Sequence, residues 1–178
     1  FLESNQKDVH DLLTKYTDAC FLYLRKQVQS GADVIQIFDS WANLLTKEDL
    51  IEFSFNYINS LISALKLDPI TKNIPVIIFA RNPKCNIEEL INTSADCISL
   101  FWSMNDLNFE VAKNKVAIQG NLDPKVLLES DETIKRETYK ILERFKEYPG
   151  YIFNLGHGIT PDISPDKIKY LTNIVREY

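Results

Sequence analysis

Ile74-Pro75-Val76-Ile77-Ile78-Phe79 is an apolar run without a charged or polar side chain. A strand that is solvated on one face alternates apolar and polar residues. A strand apolar at every position is covered on both faces, as happens when helices flank a parallel sheet. The run is too short for a helix, and Pro75 at its start suits a strand entry. Reading outward from it gives the architecture.

Upstream, Asp33-Val34-Ile35-Gln36-Ile37-Phe38 reads as a buried strand ending in Asp39-Ser40. Before it, residues 7–29 carry Leu12, Leu13, Tyr16, Ala19, Cys20, Tyr23, Leu24, Gln27 and Val28 on one stripe of helical period. Gly31 stands where a helix C-terminal glycine belongs, and core packing is the expected use of the stripe. Thr46-Lys47-Glu48-Asp49 has the spacing of a capping box with Asp in place of Glu or Gln. A helix follows to Leu67, closed by Asp68-Pro69.

Downstream, a short helix is expected over 86–94, a strand over Asp96–Phe101 and a short helix over 105–113. Lys115–Gln119 is a fourth strand, 131–147 a helix, and Tyr151–Leu155 a fifth strand after the Pro149-Gly150 turn. Ser164-Pro165 marks a last helix start, an N-cap followed by proline at the first helical position. Regular α-β alternation without a hairpin signal predicts parallel strands joined by crossover helices in one domain, residues 1–178. Five such strands can make an open doubly wound sheet or the later part of an eight-stranded barrel.

Composition narrows the function. The chain is 45% hydrophobic and 25% charged, enough to bury a core. A net charge of −5 gives no electrostatic support to a nucleic-acid role. No apolar run is long enough to span a bilayer, and no segment reads as a signal peptide. Cys20, Cys85 and Cys97 are odd in number and widely spaced. They read as buried or indifferent thiols in a reducing, cytoplasmic setting. The chain begins with Phe1, not Met, which suggests a piece of a longer protein.

In either parallel architecture ligands bind beyond the C-terminal ends of the strands. Those ends read Asp39-Ser40-Trp41, Arg81-Asn82, Trp102-Ser103, Gln119-Gly120-Asn121-Leu122-Asp123 and Gly156-His157-Gly158. His157 can donate, accept or carry charge near neutral pH, and its flanking glycines permit close backbone approach to a ligand. A tight strand-to-loop turn with a solvated histidine accounts for the same residues, so both accounts stay open here. A metal site is not expected, because neither His10 nor His157 has a Cys or His at ligand spacing. Gly156-His157-Gly158 lacks the rest of a dinucleotide fingerprint. Ser40 is outside a nucleophile elbow, which disfavours a Ser40–His157–Asp39 triad.

Four segments together, residues 31–42, 74–80, 116–124 and 152–162, resemble the uroporphyrinogen decarboxylase family in order and spacing. The QGNLDP segment at 119–124 and the FNLGHG segment at 153–158 are its most specific parts. The resemblance covers essentially the whole chain and corresponds to about the C-terminal half of the family's chain. It implies a (β/α)8 TIM barrel, α/β in class, of which the five strands here are the fourth to eighth. It also implies a homodimer that decarboxylates the four acetate side chains of uroporphyrinogen III to give coproporphyrinogen III. Neither metal nor organic cofactor is implied.

Position by position, the resemblance implies that Ser40 and His157 contact substrate. The family's catalytic aspartate, its arginine-rich loop and its substrate-binding tyrosine lie upstream, so no catalytic residue is assigned within this chain. Some positions depart from the pattern. Phe101 stands where Leu-Asp-Trp is usual, Asn43 replaces a common glycine, and Arg81-Asn82 replaces a Lys-Gly or Arg-Gly pair. A corrinoid methyltransferase of the same superfamily is disfavoured, since those enzymes need a His-x-Cys zinc motif and here Asp11-Leu12 follows His10 and Gly158-Ile159 follows His157. The remaining alternative is a truncated barrel that only associates, through exposed sheet edges.

With the aspartate upstream, the 178-residue chain by itself is expected not to decarboxylate uroporphyrinogen III. Assay of the isolated chain checks this. Turnover above that of its His157→Ala variant overturns the expectation.

Overall fold

The structure, a computed structural model, describes residues 4–105 and 107–178. It comprises two compact units, Phe1–Ile98 and Ser99–Tyr178. The strands are hydrogen-bonded in chain order, β1-β2-β3-β4-β5. A doubly wound sheet reverses its order at a switch point, whereas consecutive β/α units of a barrel do not. Chain order therefore decides between the two architectures left open above. The fold is α/β, of the kind that makes part of a (β/α)8 barrel.

In the first unit, helix α1 (Gln6–Gln29) leads to strand β1 (Ile35–Asp39). The short helix α2 (Lys47–Leu50), a wide π turn over Ile51–Phe55 and helix α3 (Asn56–Leu67) follow. Strand β2 (Val76–Ala80), helix α4 (Ile87–Ile91) and strand β3 (Cys97–Ser99) complete the series to the unit boundary. β2 is buried at every position, as its unbroken apolar run requires. It pairs in parallel with β1 in the register Ile35↔Val76 to Asp39↔Ala80. At its start the Asp96 carboxylate accepts from Val76 N–H at 2.7 Å and from Lys66 Nζ at 2.6 Å.

The expected helix starts are present. Thr46 accepts from Asp49 N–H, the Ser/Thr half of a capping box. Asn86 and Glu89 form a complete one at α4. The expected single helix to Leu67 is instead interrupted by the π turn. The stripe of α1 is only partly used as core. Leu13, Cys20, Leu24 and Val28 are half-buried and Leu12, Tyr16 and Tyr23 exposed, and the buried residue of the helix, Val9, lies outside the stripe. A single neighbouring helix, α3, cannot cover so broad an apolar face.

In the second unit, strand β4 (Ala117–Gln119) pairs in parallel with strand β5 (Tyr151–Ile152). An isolated bridge continues the pairing at Leu122↔Leu155. Helices α5 (Asp131–Phe145) and α6 (Pro165–Glu177) start at Ser130 and Ser164, whose hydroxyls accept from Thr133 and Asp166 N–H. They close a core of Leu122, Leu127, Ile134, Ile163, Leu171 and Ile174. The helix expected over 105–113 is not there. Position 106 lies outside the described residues, and from 107 onward one tight turn, Phe109–Val111, forms under an Asn108 cap. Asn108 competes for backbone donors, and Phe109 is held edge-on to Phe145 at 5.2 Å.

Ile134 is fully buried in that core. Ile134→Ala is expected to lower unfolding free energy by about 2–5 kcal/mol. Denaturant titration with an unchanged m-value checks this.

Candidate functional site

At the end of β1, Asp39 uses both carboxylate oxygens. Oδ1 accepts from Trp41 N–H at 3.2 Å and Oδ2 from the Ser54 hydroxyl at 2.5 Å. A side-chain oxygen that takes the N–H two residues on closes an Asx turn. Ser40 is the middle residue of this turn and is exposed. Asp39 thus serves a turn. On the neighbouring strand end, Arg81 N–H donates to Asp39 O at 2.9 Å. Ser40 also borders a cavity of about 480 Å³ with mostly apolar walls, among them Tyr16, Trp41 and Phe53.

In the second unit, His157 is exposed. Its Nδ1 lies 3.4 Å from Gly158 O. Its ring meets the buried Phe101 edge to face, with centroids 5.9 Å apart and planes at 89°. The contact Phe101 makes with His157 is an aromatic edge and not an ion pair, which a sequence comparison alone does not reveal. Trp102 packs against Phe101 at 5.3 Å.

The two glycines around His157 have different surroundings. Neither adopts a left-handed backbone; Gly31, Gly120 and Gly150 do. Gly156 is required for packing, since a Cβ there would lie 2.5 Å from Trp102 Cα and 2.7 Å from its Cβ. Gly158 faces open space. At Gly156 the close approach is between two segments of the protein.

The QGNLDP segment is also spent on structure. Gln119 Nε2 donates to Ser99 Oγ at 3.0 Å, and Asn121 Nδ2 to Phe101 O at 3.2 Å and Trp102 O at 3.4 Å. Both side chains are buried, where an unpaired amide would be costly. Asp123 caps the turn Pro124–Leu128 through Lys125 N–H at 3.0 Å. These residues hold the backbone under Phe101 and Trp102, and so support the contact with His157 from below. Ser40 and His157 are both exposed, as are Asn82 and Ser103 among the polar strand-end residues. Ser54, which bonds Asp39, lies in the middle of a helical stretch and carries no motif that marks it in the sequence.

Burial pushes the Cys85 and Cys97 thiols up to about 12. They stay protonated at neutral pH and are poor nucleophiles. Among the described residues, no group of three or more His, Cys, Asp or Glu side chains could hold a metal ion.

Comparison with known proteins gives a consistent result. Residues 1–178 match the family model described as uroporphyrinogen decarboxylase. The chain is 39% identical over 179 residues to the uroporphyrinogen decarboxylase of Vesicomyosocius okutanii, covering 99% of this chain and 51% of that one. It is 41% identical to that of Chlorobaculum parvum, covering 94% of this chain and 48% of the other. The figures for the protein of that name in Aquifex aeolicus are 39% identity, 100% and 52%. The chain spans about half the length of these relatives.

The two glycines are expected to respond differently to the same added methyl group. Gly156→Ala should cost about 1–3 kcal/mol by forcing the Trp102 backbone aside, and Gly158→Ala should be near neutral. Equal melting temperatures for the two variants would contradict this assignment.

Proposed function

We propose that this chain, which belongs to the uroporphyrinogen decarboxylase family, forms part of an enzyme that converts uroporphyrinogen III to coproporphyrinogen III. The family match across every residue carries the reading. In it, residues 1–178 are one domain of a homodimeric, cytoplasmic, cofactor-independent carboxy-lyase. Exposed Phe38, Trp41 and Leu44 in the first unit favour association with further protein surface.

The chemistry asks little of a cofactor. Protonation of a pyrrole carbon makes the ring cationic. The bond between the acetate methylene and its carboxyl group then breaks, and its electron pair flows into that ring as carbon dioxide leaves. Protonation of the methylene carbon gives the methyl group, and loss of the proton first added to the ring carbon restores the neutral pyrrole. The substrate supplies its own electron sink, so the protein must bind, orient and move protons. Ser40 offers a hydroxyl and His157 an imidazole, both suited to the carboxylates of such a substrate. Phe101 and the Gly158 carbonyl limit the directions the imidazole can take.

His157→Ala in the full-length polypeptide removes one polar partner from a carboxylate-rich ligand. The loss expected is about 1–3 kcal/mol, or roughly five- to 150-fold in kcat/KM. Steady-state kinetics across pH 6–8 provide the check. Profiles unchanged from wild type would count against a substrate contact at His157.

A further inference from the structure

The π turn between α2 and α3 carries Ser54, which bonds the carboxylate of Ser40's turn. A π turn adds one residue to a helical ladder and re-aims the side chains that follow. Here successive side chains diverge. Glu52 and Phe53 reach α1, where His10 Nε2 lies 3.2 Å from Glu52 Oε1 and the His10 ring stacks on Phe53 at 5.1 Å. His10 Nδ1 lies 2.7 Å from the Tyr57 hydroxyl, one turn further along. Ser54 points the other way and donates to Asp39 Oδ2.

Ser54 behaves unlike other helical hydroxyls of this chain. Thr14, Thr17, Ser60 and Thr172 each donate to the carbonyl four residues back, the usual local choice. Ser54 instead donates across to a strand end at 2.5 Å, the range of a charge-assisted O–H···O⁻ bond. Its acceptor is the carboxylate that closes the turn centred on Ser40.

We infer that Asp39 and Ser54 are positioning residues for Ser40: Ser54, aimed by the π turn, holds the Asp39 carboxylate in the geometry that forms the turn, and the turn presents the Ser40 hydroxyl to substrate. The inference rests on the reading of Ser40 as a substrate contact. Asp39 and Ser54 act through Ser40 and do not themselves touch the ligand.

A double-mutant cycle in the full-length polypeptide tests it, with uroporphyrinogen III as substrate. Ser40→Ala and Ser54→Ala are each expected to raise KM, by about three- to tenfold, with a smaller change in kcat. Ser54→Thr keeps a hydroxyl and should restore KM. Ser40→Ala with Ser54→Ala should be no worse than Ser40→Ala alone, because both act through one group. Thermal denaturation of each variant separates this from unfolding, which lowers active concentration and leaves KM unmoved. If Ser40→Ala raises KM but Ser54→Ala does not, or if the two effects multiply, the positioning role is wrong and the Ser40 reading stands. If Ser40→Ala leaves KM unchanged, the Ser40 reading falls and this inference falls with it.

Discussion

The strand Val76–Ala80 has no solvated face, and much else follows from that. A buried strand must pair its N–H and C=O groups on both sides or lose several kilocalories per mole. The β1 register satisfies one side. At the entry to the strand, where Pro75 has no N–H to offer, the Asp96 carboxylate takes Val76 N–H and is neutralised by Lys66. Once β1 and β2 are parallel and in register, Asp39 and Ala80 are level. The Asp39-Ser40-Trp41 turn then stands at the C-terminal end of the strands, where parallel α/β folds bind their ligands.

The second unit solves a different problem by similar means. Its strand ends carry buried amides, whose N–H groups need acceptors. Gln119 and Asn121 are consumed by Ser99 and by the carbonyls of Phe101 and Trp102. That pins the segment against which Gly156 passes so closely that a side chain cannot be fitted. His157, one residue on, emerges at the surface with Phe101 at its edge. A motif that reads as a cluster of ligand-binding polar groups is thus a frame, and the exposed histidine is what the frame presents.

Helix boundaries were largely legible because they depend on neighbours in sequence. Ser130, Ser164 and Asn86 cap where their spacing says they should. The misses have long-range causes. The π turn is stabilised by contacts from its side chains to α1 and β1, which no local pattern encodes. The helix missing near residue 109 gives way to a single turn whose phenylalanine packs on Phe145. The stripe of α1 was visible, but which part of it meets α3 depends on how the two helices cross.

The sequence by itself determined the α/β class, the five strands, most of the helices, the family and the two residues proposed to meet substrate. All of these rest on periodicity, caps and motifs that act within a few residues along the chain. Tertiary structure alone decided that the strands run in chain order, that Gly156 is packed against Trp102, and that Ser54 grips Asp39. Each of these joins residues 15 or more positions apart. Hydrogen-bond and steric complementarity between distant segments has no signature in a single sequence, because many residue types fit each site until the chain has folded.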